Sequence, residues 1–147
     1  MADKKIHLKI ITPTAVKADR QADMVVLYTV NGPMGVMPGH DTRSVVLDLG
    51  ILRIHDDHRE SVIAVFGGIA EIRQDVLTVL TTEAEWPRDV DSSRAETERE
   101  HIERRLQESR DDMEIQRDQA LLRRALVLIE VSSQPLIGKP SWSEDGS

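Results

Sequence analysis

Three short stretches and one scattered series hold the residue types from which sites are built. The first is Gly32-Pro33-Met34-Gly35-Val36-Met37-Pro38-Gly39-His40-Asp41, whose glycines expose backbone donors of the kind that cradle phosphates. It lacks a Gly-Lys-Ser/Thr ending and no helix-forming run follows it, so it reads as a pair of tight turns that also present a docking surface. The second is His55-Asp56-Asp57-His58, made of metal-ligand residue types. It lies between two apolar runs, where Asp56-Asp57 reads as a hairpin turn and not as a converging ligand shell, so no metal is expected. The third is His40-Asp41, a pairing suited to acid–base work, but adjacent residues of an extended chain point to opposite faces. No serine lies in a Gly-x-Ser-x-Gly elbow. The expectation is a chain without catalytic residues; a hydrolase using His40 or residues 55–58 is the alternative, and turnover or bound metal would reveal it.

The scattered series is Arg94, Arg99, Arg104, Arg105, Arg110, Arg117, Arg123 and Arg124, interleaved with glutamates. Such a pattern forms a solvated helix surface, and it can also dock on acidic loops of a partner because surface pairs are weak and exchangeable. Asp91 and Arg94 stand out. An acid in a first helical turn suits the macrodipole, whereas a cation there does not. Arg94 therefore invites an anionic partner: Asp91 or Glu98 on the same helix, at ~0.2–0.5 kcal/mol, or an external phosphate.

Composition excludes several classes. A formal net charge of -7 argues against nucleic acid, whose readers carry basic patches. The absence of cysteine removes disulfides, thiol nucleophiles and thiolate metal sites. With aromatics at 3%, the core must be aliphatic, which suits a thin sheet sandwich better than a deep cofactor cavity. No apolar run approaches the ~18–20 residues of a membrane span, and Met1-Ala2-Asp3-Lys4-Lys5 opens no secretory signal. A cytoplasmic chain able to dock on a membrane complex is expected.

The elements that would position these residues change character halfway along the chain. Ile6, Leu8 and Ile10 alternate with His7 and Lys9, the period of a half-buried strand. Residues 24–30 are rich in β-branched types and stop at the turn signal Asn31-Gly32-Pro33. Further strands are expected over 43–47, 51–55, 61–66, 69–73 and 76–81, with Gly67-Gly68 and Gln74-Asp75 as the turns between the last three. Close, regular spacing predicts an antiparallel β-sandwich.

Beyond Trp86-Pro87 the sequence turns rich in Glu, Arg, Gln and Ala. Asp91 or Ser93 can cap a first helix to about Ser109, and Ser93 with Glu96 has capping-box spacing. A second helix runs from Asp111-Asp112 to about Val131, and the short link makes an antiparallel hairpin. The fold class is α+β, an N-terminal antiparallel β-sandwich followed by a C-terminal antiparallel two-helix hairpin. Helix 1 has only Ala95, Ile102 and Leu106 on one stripe; helix 2 offers Leu121, Leu122, Ala125, Leu128 and Ile129. Ordering backbone costs ~1–2 kcal/mol per residue, while burying one large apolar side chain contributes ~1.5–3 kcal/mol. So few anchors predict a hairpin that is marginally held and easily switched. The expected domains are 1–87, 88–133 and 134–147, the last a frayed polar tail.

The run Gly32–His40, followed by Leu49-Gly50-Ile51-Leu52-Arg53-Ile54, resembles the epsilon-subunit pattern of rotary F-type ATP synthases. Residues 65–72 (Val-Phe-Gly-Gly-Ile-Ala-Glu-Ile), 76–80 (Val-Leu-Thr-Val-Leu), 90–95 (Val-Asp-Ser-Ser-Arg-Ala), Ala120-Leu121 and Arg124-Ala125-Leu126 resemble its later segments, in order and in register. The resemblance covers about residues 6–131. It implies an accessory rotor subunit whose sandwich binds the gamma subunit and the membrane c-ring, peripheral to the cytoplasmic face of the cell membrane. It also implies that the helices restrain ATP hydrolysis when they extend toward the alpha/beta catalytic subunits.

The same resemblance assigns c-ring docking to Asn31, Gly32, Pro33, Met34, His40 and Asp41. Here the sequence departs from the family: Asp41-Thr42-Arg43 replaces Ala-Pro-Leu, and Pro33 replaces an acidic residue. No cofactor is required, although regulatory ATP would be held at Glu85, Asp91, Arg94 and Arg124. His101 and Leu128 stand where that pattern has arginines, which leaves a triphosphate fewer cations. An ATP-sensing module whose hairpin is stabilised by the nucleotide is the alternative function.

Overall fold

The computed structural model describes residues 4–133. Eight strands come first: β1 (Ile6–Ile11), β2 (Val16–Ala22), β3 (Met24–Thr29), β4 (Gly32–Val36), β5 (Arg43–Asp56), β6 (Arg59–Arg73), β7 (Val76–Leu80) and β8 (Ala84–Glu85). A 3₁₀ turn at Pro87–Asp89 leads into two helices, α1 (Ser92–Glu108) and α2 (Asp112–Ser132). Residues 134–147, expected as a frayed tail, lie outside the described residues.

The sheet order is β2-β1-β7-β6-β5-β3-β4, with β8 added beside β6. β5 and β6, of 14 and 15 residues, serve both layers of the sandwich. The C-terminal part of β6 pairs with β7, and its N-terminal part with β8. Folding a strand back over its own core needs a sharp bend, and Gly67-Gly68 supplies it. Gly68 has φ +115, and a Cβ there would sit 2.1 Å from the Leu80 carbonyl oxygen, so no side chain fits. On β5 the neighbouring Gly50 leaves room for the Tyr28 ring, which a Cβ would approach to 2.7 Å.

Several expectations change at these strands. Gly67-Gly68 is a bend inside β6 and not a turn, and residues 43–47 and 51–55 are parts of one strand, β5. The Asp56-Asp57 turn is displaced by one residue: Asp57 and His58 carry φ 49 and 64, the double positive φ of a type I′ hairpin. Gln74-Asp75 is a turn of the same kind, with φ 49 and 63. β2, β4 and β8 were not expected. β2 buries only Ala18 and Ala22, so its apolar alternation is nearly invisible. β4 was hidden by its glycines and Pro33, which it tolerates because it is the last strand of the sheet. β1 pairs with β7 in parallel, the exception in an otherwise antiparallel sheet.

Every strand feeds one buried cluster, built on Ile6, Leu8, Ile10, Val25, Leu27, Leu52, Ile54, Ile63, Ile72, Leu77 and Val79, with Ala84 from β8. A second, smaller cluster joins α2 to the sheet: Val131 of α2 is buried with Val62 and Ala64 of β6, flanked by Val127, Val90, Ile51 and Phe66.

Both helices start on aspartates. The Asp91 carboxylate accepts from the Arg94 N–H at 3.1 Å, and that of Asp111 from the Met113 N–H at 2.9 Å. Ser93 lies inside α1, so its spacing to Glu96 is not used as a cap. α1 buries Ala95 and Ile102 alone; α2 buries Asp118, Ala125, Leu128 and Val131. Leu121, expected on the apolar face, is 40% exposed. The buried stripe is displaced because α2 must face α1 with one flank and the sandwich with another.

Candidate functional site

Glu85, Asp91, Arg94 and Arg124 line one cleft of about 330 Å³ where the sandwich, the start of α1 and the middle of α2 meet. Each arrives by a different route. Glu85 is held by β8, Asp91 caps α1, Arg94 is in the first turn above it, and Arg124 reaches across from α2. Sequence spacing alone placed only Asp91 beside Arg94; the antiparallel hairpin and the β8–β6 pairing bring in the other two.

The electrostatics of the cleft are acidic. Glu83, Glu85, Asp89, Asp91 and Glu98 face Arg94 and Arg124, five carboxylates to two guanidiniums. Arg124 is engaged from two sides. Its Nε and Nη2 donate to the Glu83 carboxylate at 3.2 and 2.5 Å, and its guanidinium carbon lies 5.2 Å from the centre of the Phe66 ring. The Glu83 hydrogen bonds raise the Arg124 pKa against the opposing effect of burial. Arg94 is looser: its side chain is 79% exposed and meets Glu98 at 3.5 Å.

A neighbouring trough between α1 and α2, of about 650 Å³, shares Arg94, Glu98 and Arg124 with the cleft and adds His101 and Arg105. Arg105 is held by Asp118 through two contacts of 3.3 and 3.0 Å. These hydrogen bonds lower the Asp118 pKa although burial opposes them. Sequence reading missed Asp118. Its only signal is a carboxylate in the apolar stripe, seven residues before Ala125 and thus on the same face.

The six residues assigned to c-ring docking are not gathered in one loop. Asn31 and Gly32 stand at the β3–β4 turn, with the Asn31 N–H donating to the Thr29 hydroxyl at 3.1 Å. Pro33 and Met34 belong to β4, and His40 and Asp41 lie in the connection beyond its other end. That connection is pinned: the Gly39 N–H donates to the Asp75 carboxylate at 2.7 Å, and His40 Nδ1 donates to the Asp41 carbonyl at 2.8 Å.

The His55–His58 stretch does not form a ligand set. His55 is buried in β5, where desolvation lowers its pKa, while His58 sits in the exposed turn. Asp56 and Asp57 instead join Asp23, and the Lys5 ammonium lies 3.4, 2.5 and 3.2 Å from Asp23, Asp56 and Asp57. The cation of that cluster is the protein's own.

An apolar row on the outer face of the sheet escaped sequence reading. Val46 pairs with Ile69, Ile69 with Leu80, Leu80 with Ile11, and Ile11 with Val16. The Val30 N–H donates to the Val46 carbonyl at 3.0 Å, which places Val30 at the end of the row. Five strands thus carry one apolar residue each, and Val30, just past the end of β3, extends the row to about 24 Å, taking ~4.8 Å per step. Val16, Val30, Val46, Ile69 and Leu80 are all more than half exposed. The signal was present as apolar doublets, Ile10-Ile11, Val45-Val46 and Val79-Leu80, because in a strand only one member of a doublet can face the core.

A sandwich of this topology bearing a helical hairpin on one small apolar cluster defines a class of two-part α+β folds. The β-sandwich domain of the ATP synthase delta/epsilon chain matches residues 5–87. The ATP synthase epsilon chain of Halalkalibacterium halodurans is 32% identical over 130 residues, 88% of this chain and 98% of that one. That of Bacillus licheniformis is 32% identical over 129 residues, again 88% and 98%. A chain of the Euglena gracilis mitochondrial ATP synthase OSCP/F1/c-ring assembly shares the fold with a TM-score of 0.76 at 20% identity, covering 88% of this chain and 82% of that one. One from the central stalk/c-ring of the Tetrahymena thermophila enzyme gives 0.63 at 11% identity, with 90% and 100% covered. The chain belongs to the ATP synthase epsilon-chain family. Among the described residues no helix is long and apolar enough to cross a membrane.

Proposed function

We propose that this chain is a non-catalytic central-stalk subunit. Its sandwich couples the catalytic head to the c-ring by binding the gamma subunit, and its helix pair restrains ATP hydrolysis when it leaves the sandwich and reaches the alpha/beta subunits. The observation that carries this reading is the exposed apolar row of Val16, Ile11, Leu80, Ile69, Val46 and Val30. Single exposed apolar residues are ordinary, but a continuous row across five strands, extended by Val30, fits a protein interface. The weak anchoring of α1 supports the regulatory half, since a marginal element switches with a few kcal/mol.

Two experiments test it. Ile69→Glu with Leu80→Glu should abolish co-purification with gamma subunit while the chain keeps its circular dichroism; retained binding would move the interface elsewhere. Removal of residues 88–147 should leave assembly intact and raise ATP hydrolysis of the assembled complex. Unchanged hydrolysis would refute the regulatory role.

The convergence of Glu85, Asp91, Arg94 and Arg124 on one cleft favours a second reading, in which ATP binds there and stabilises the folded hairpin. The excess of carboxylates means that the phosphates would enter with a divalent cation. Calorimetry of the whole chain with Mg–ATP, repeated on Arg94→Ala, decides it. Heat that is lost in the variant supports the site, and no heat at millimolar nucleotide ends it.

A further inference from the structure

We propose that Glu83 is a built-in competitor for the cleft's main anion-binding group. This chain thereby fastens its helix pair to the sandwich with its own carboxylate, at the position where a bound polyphosphate would otherwise do so. The proposal rests on the nucleotide reading above and concerns what regulates that site.

The geometry is that of an occupied anion site. A guanidinium binds carboxylate and phosphate through the same planar fork of N–H donors. In Arg124 that fork is closed on both oxygens of Glu83, at 3.2 and 2.5 Å, and its face rests on Phe66. The other cleft cation, Arg94, has only a 3.5 Å contact and stands mostly in solvent. A phosphate approaching the cleft therefore finds one weakly held cation and one already neutralised. It must displace Glu83 or accept a carboxylate at close range, among carboxylates that outnumber the cations.

The location gives the exchange a structural consequence. Glu83 immediately precedes β8, and Arg124 belongs to α2. Their pair spans the junction between sandwich and hairpin, beside the small cluster of Val131, Val62 and Ala64. With Glu83 in place the helix pair stays closed without any ligand. Without it, closure depends on an anion that can take the Arg124 fork, and folding of the hairpin becomes linked to ligand concentration.

The test uses the full chain, as wild type and as Glu83→Gln, which keeps the side chain's shape and removes its charge. Asp89→Asn serves as the control, since it removes one charge from the same cleft without touching Arg124. Binding is measured by calorimetry in two arms, Mg–ATP and Mg–pyrophosphate, and hydrogen exchange of α2 is followed with and without each ligand. Glu83→Gln should bind Mg–ATP about tenfold more tightly than wild type, the scale of one charge-assisted hydrogen bond. Exchange in α2 should slow on adding ligand in Glu83→Gln far more than in wild type.

A gain in both arms supports competition for phosphate alone, and a gain confined to ATP supports it with an added contribution from the nucleoside. Equal affinity in wild type and Glu83→Gln, or an equal gain in Asp89→Asn, overturns the role of Glu83 and leaves the nucleotide site standing. Binding by none of the chains overturns the nucleotide reading and this proposal with it. Should Glu83→Gln open its helices too far to bind, exchange in ligand-free α2 reads the fastening directly; protection equal to wild type there overturns it.

Discussion

Each strand of the sandwich contributes side chains to one buried cluster, whereas α1 contributes Ala95 and Ile102 and packs chiefly against α2. The helix pair meets the sheet through Val131 and its few neighbours, and through the ion pairs Arg124–Glu83 and Arg123–Asp48, the latter at 3.2 Å. Burial is cooperative within the first region, where losing one residue weakens a network of contacts. In the second, a few separable contacts carry the attachment, and separable contacts can be exchanged for others. One chain thus combines a densely packed sandwich with a helix pair joined to it by a small apolar cluster and two ion pairs.

The largest blow to the rigid half is expected at Gly68. Gly68→Ala must hold a positive φ and push against the Leu80 carbonyl, a combination of strain and overpacking worth about 3–5 kcal/mol. Denaturant unfolding of the sandwich measures it, and a loss below about 1 kcal/mol would mean that the bend relaxes elsewhere. Next comes Val131→Ala, which removes two methyl groups from a fully buried position of the joining cluster, at about 2 kcal/mol. Here the comparison sharpens: hydrogen exchange should accelerate in α1 and α2 while β1 and β7 keep their protection. Equal acceleration in both regions would show a single cooperative unit.

A smaller effect follows from the link between the helices. Arg105 holds the Asp118 pKa below the usual carboxylate range, so the link stabilises the folded hairpin above the unfolded carboxylate value of about 3.9. That stabilisation is lost as pH falls through the lower folded value. Below about pH 4 the helices should loosen before the sandwich does, and Arg105→Ala should weaken this acid step. A helix signal that follows the sandwich signal throughout the acid titration would break the distinction. The smallest effect is expected at Arg94→Ala, under about 0.5 kcal/mol, because its side chain is 79% exposed. A larger loss of stability would give Arg94 a structural role.

Much of this contrast was legible in the residues themselves. Period-two alternation in residues 6–10 located β1, and the loss of glycine after Trp86 with capping aspartates at 91 and 111 located both helices. The sparse apolar stripe of α1 already indicated a helix that buries few side chains. β2 and β4 stayed hidden because they are the terminal strands of the sheet, where a small buried face suffices and Pro33 is tolerated. Asp118 was passed over because a carboxylate in a helix pattern ordinarily faces water, and its partner Arg105 lies on the other helix.

Local pattern therefore determined most of the element types, the order of strands before helices, and the family. It did so because hydrophobic period, turn chemistry and capping act over fewer than about ten residues. Tertiary structure alone decided which residues share a site. The bend at Gly67-Gly68 aligns β5, β6 and β7 so that Val46, Ile69 and Leu80 stand in one row, and the antiparallel return of α2 carries Arg124 to Glu83. Those contacts join residues up to tens of positions apart, and the free energy that brings them together belongs to the packed core and not to either local segment.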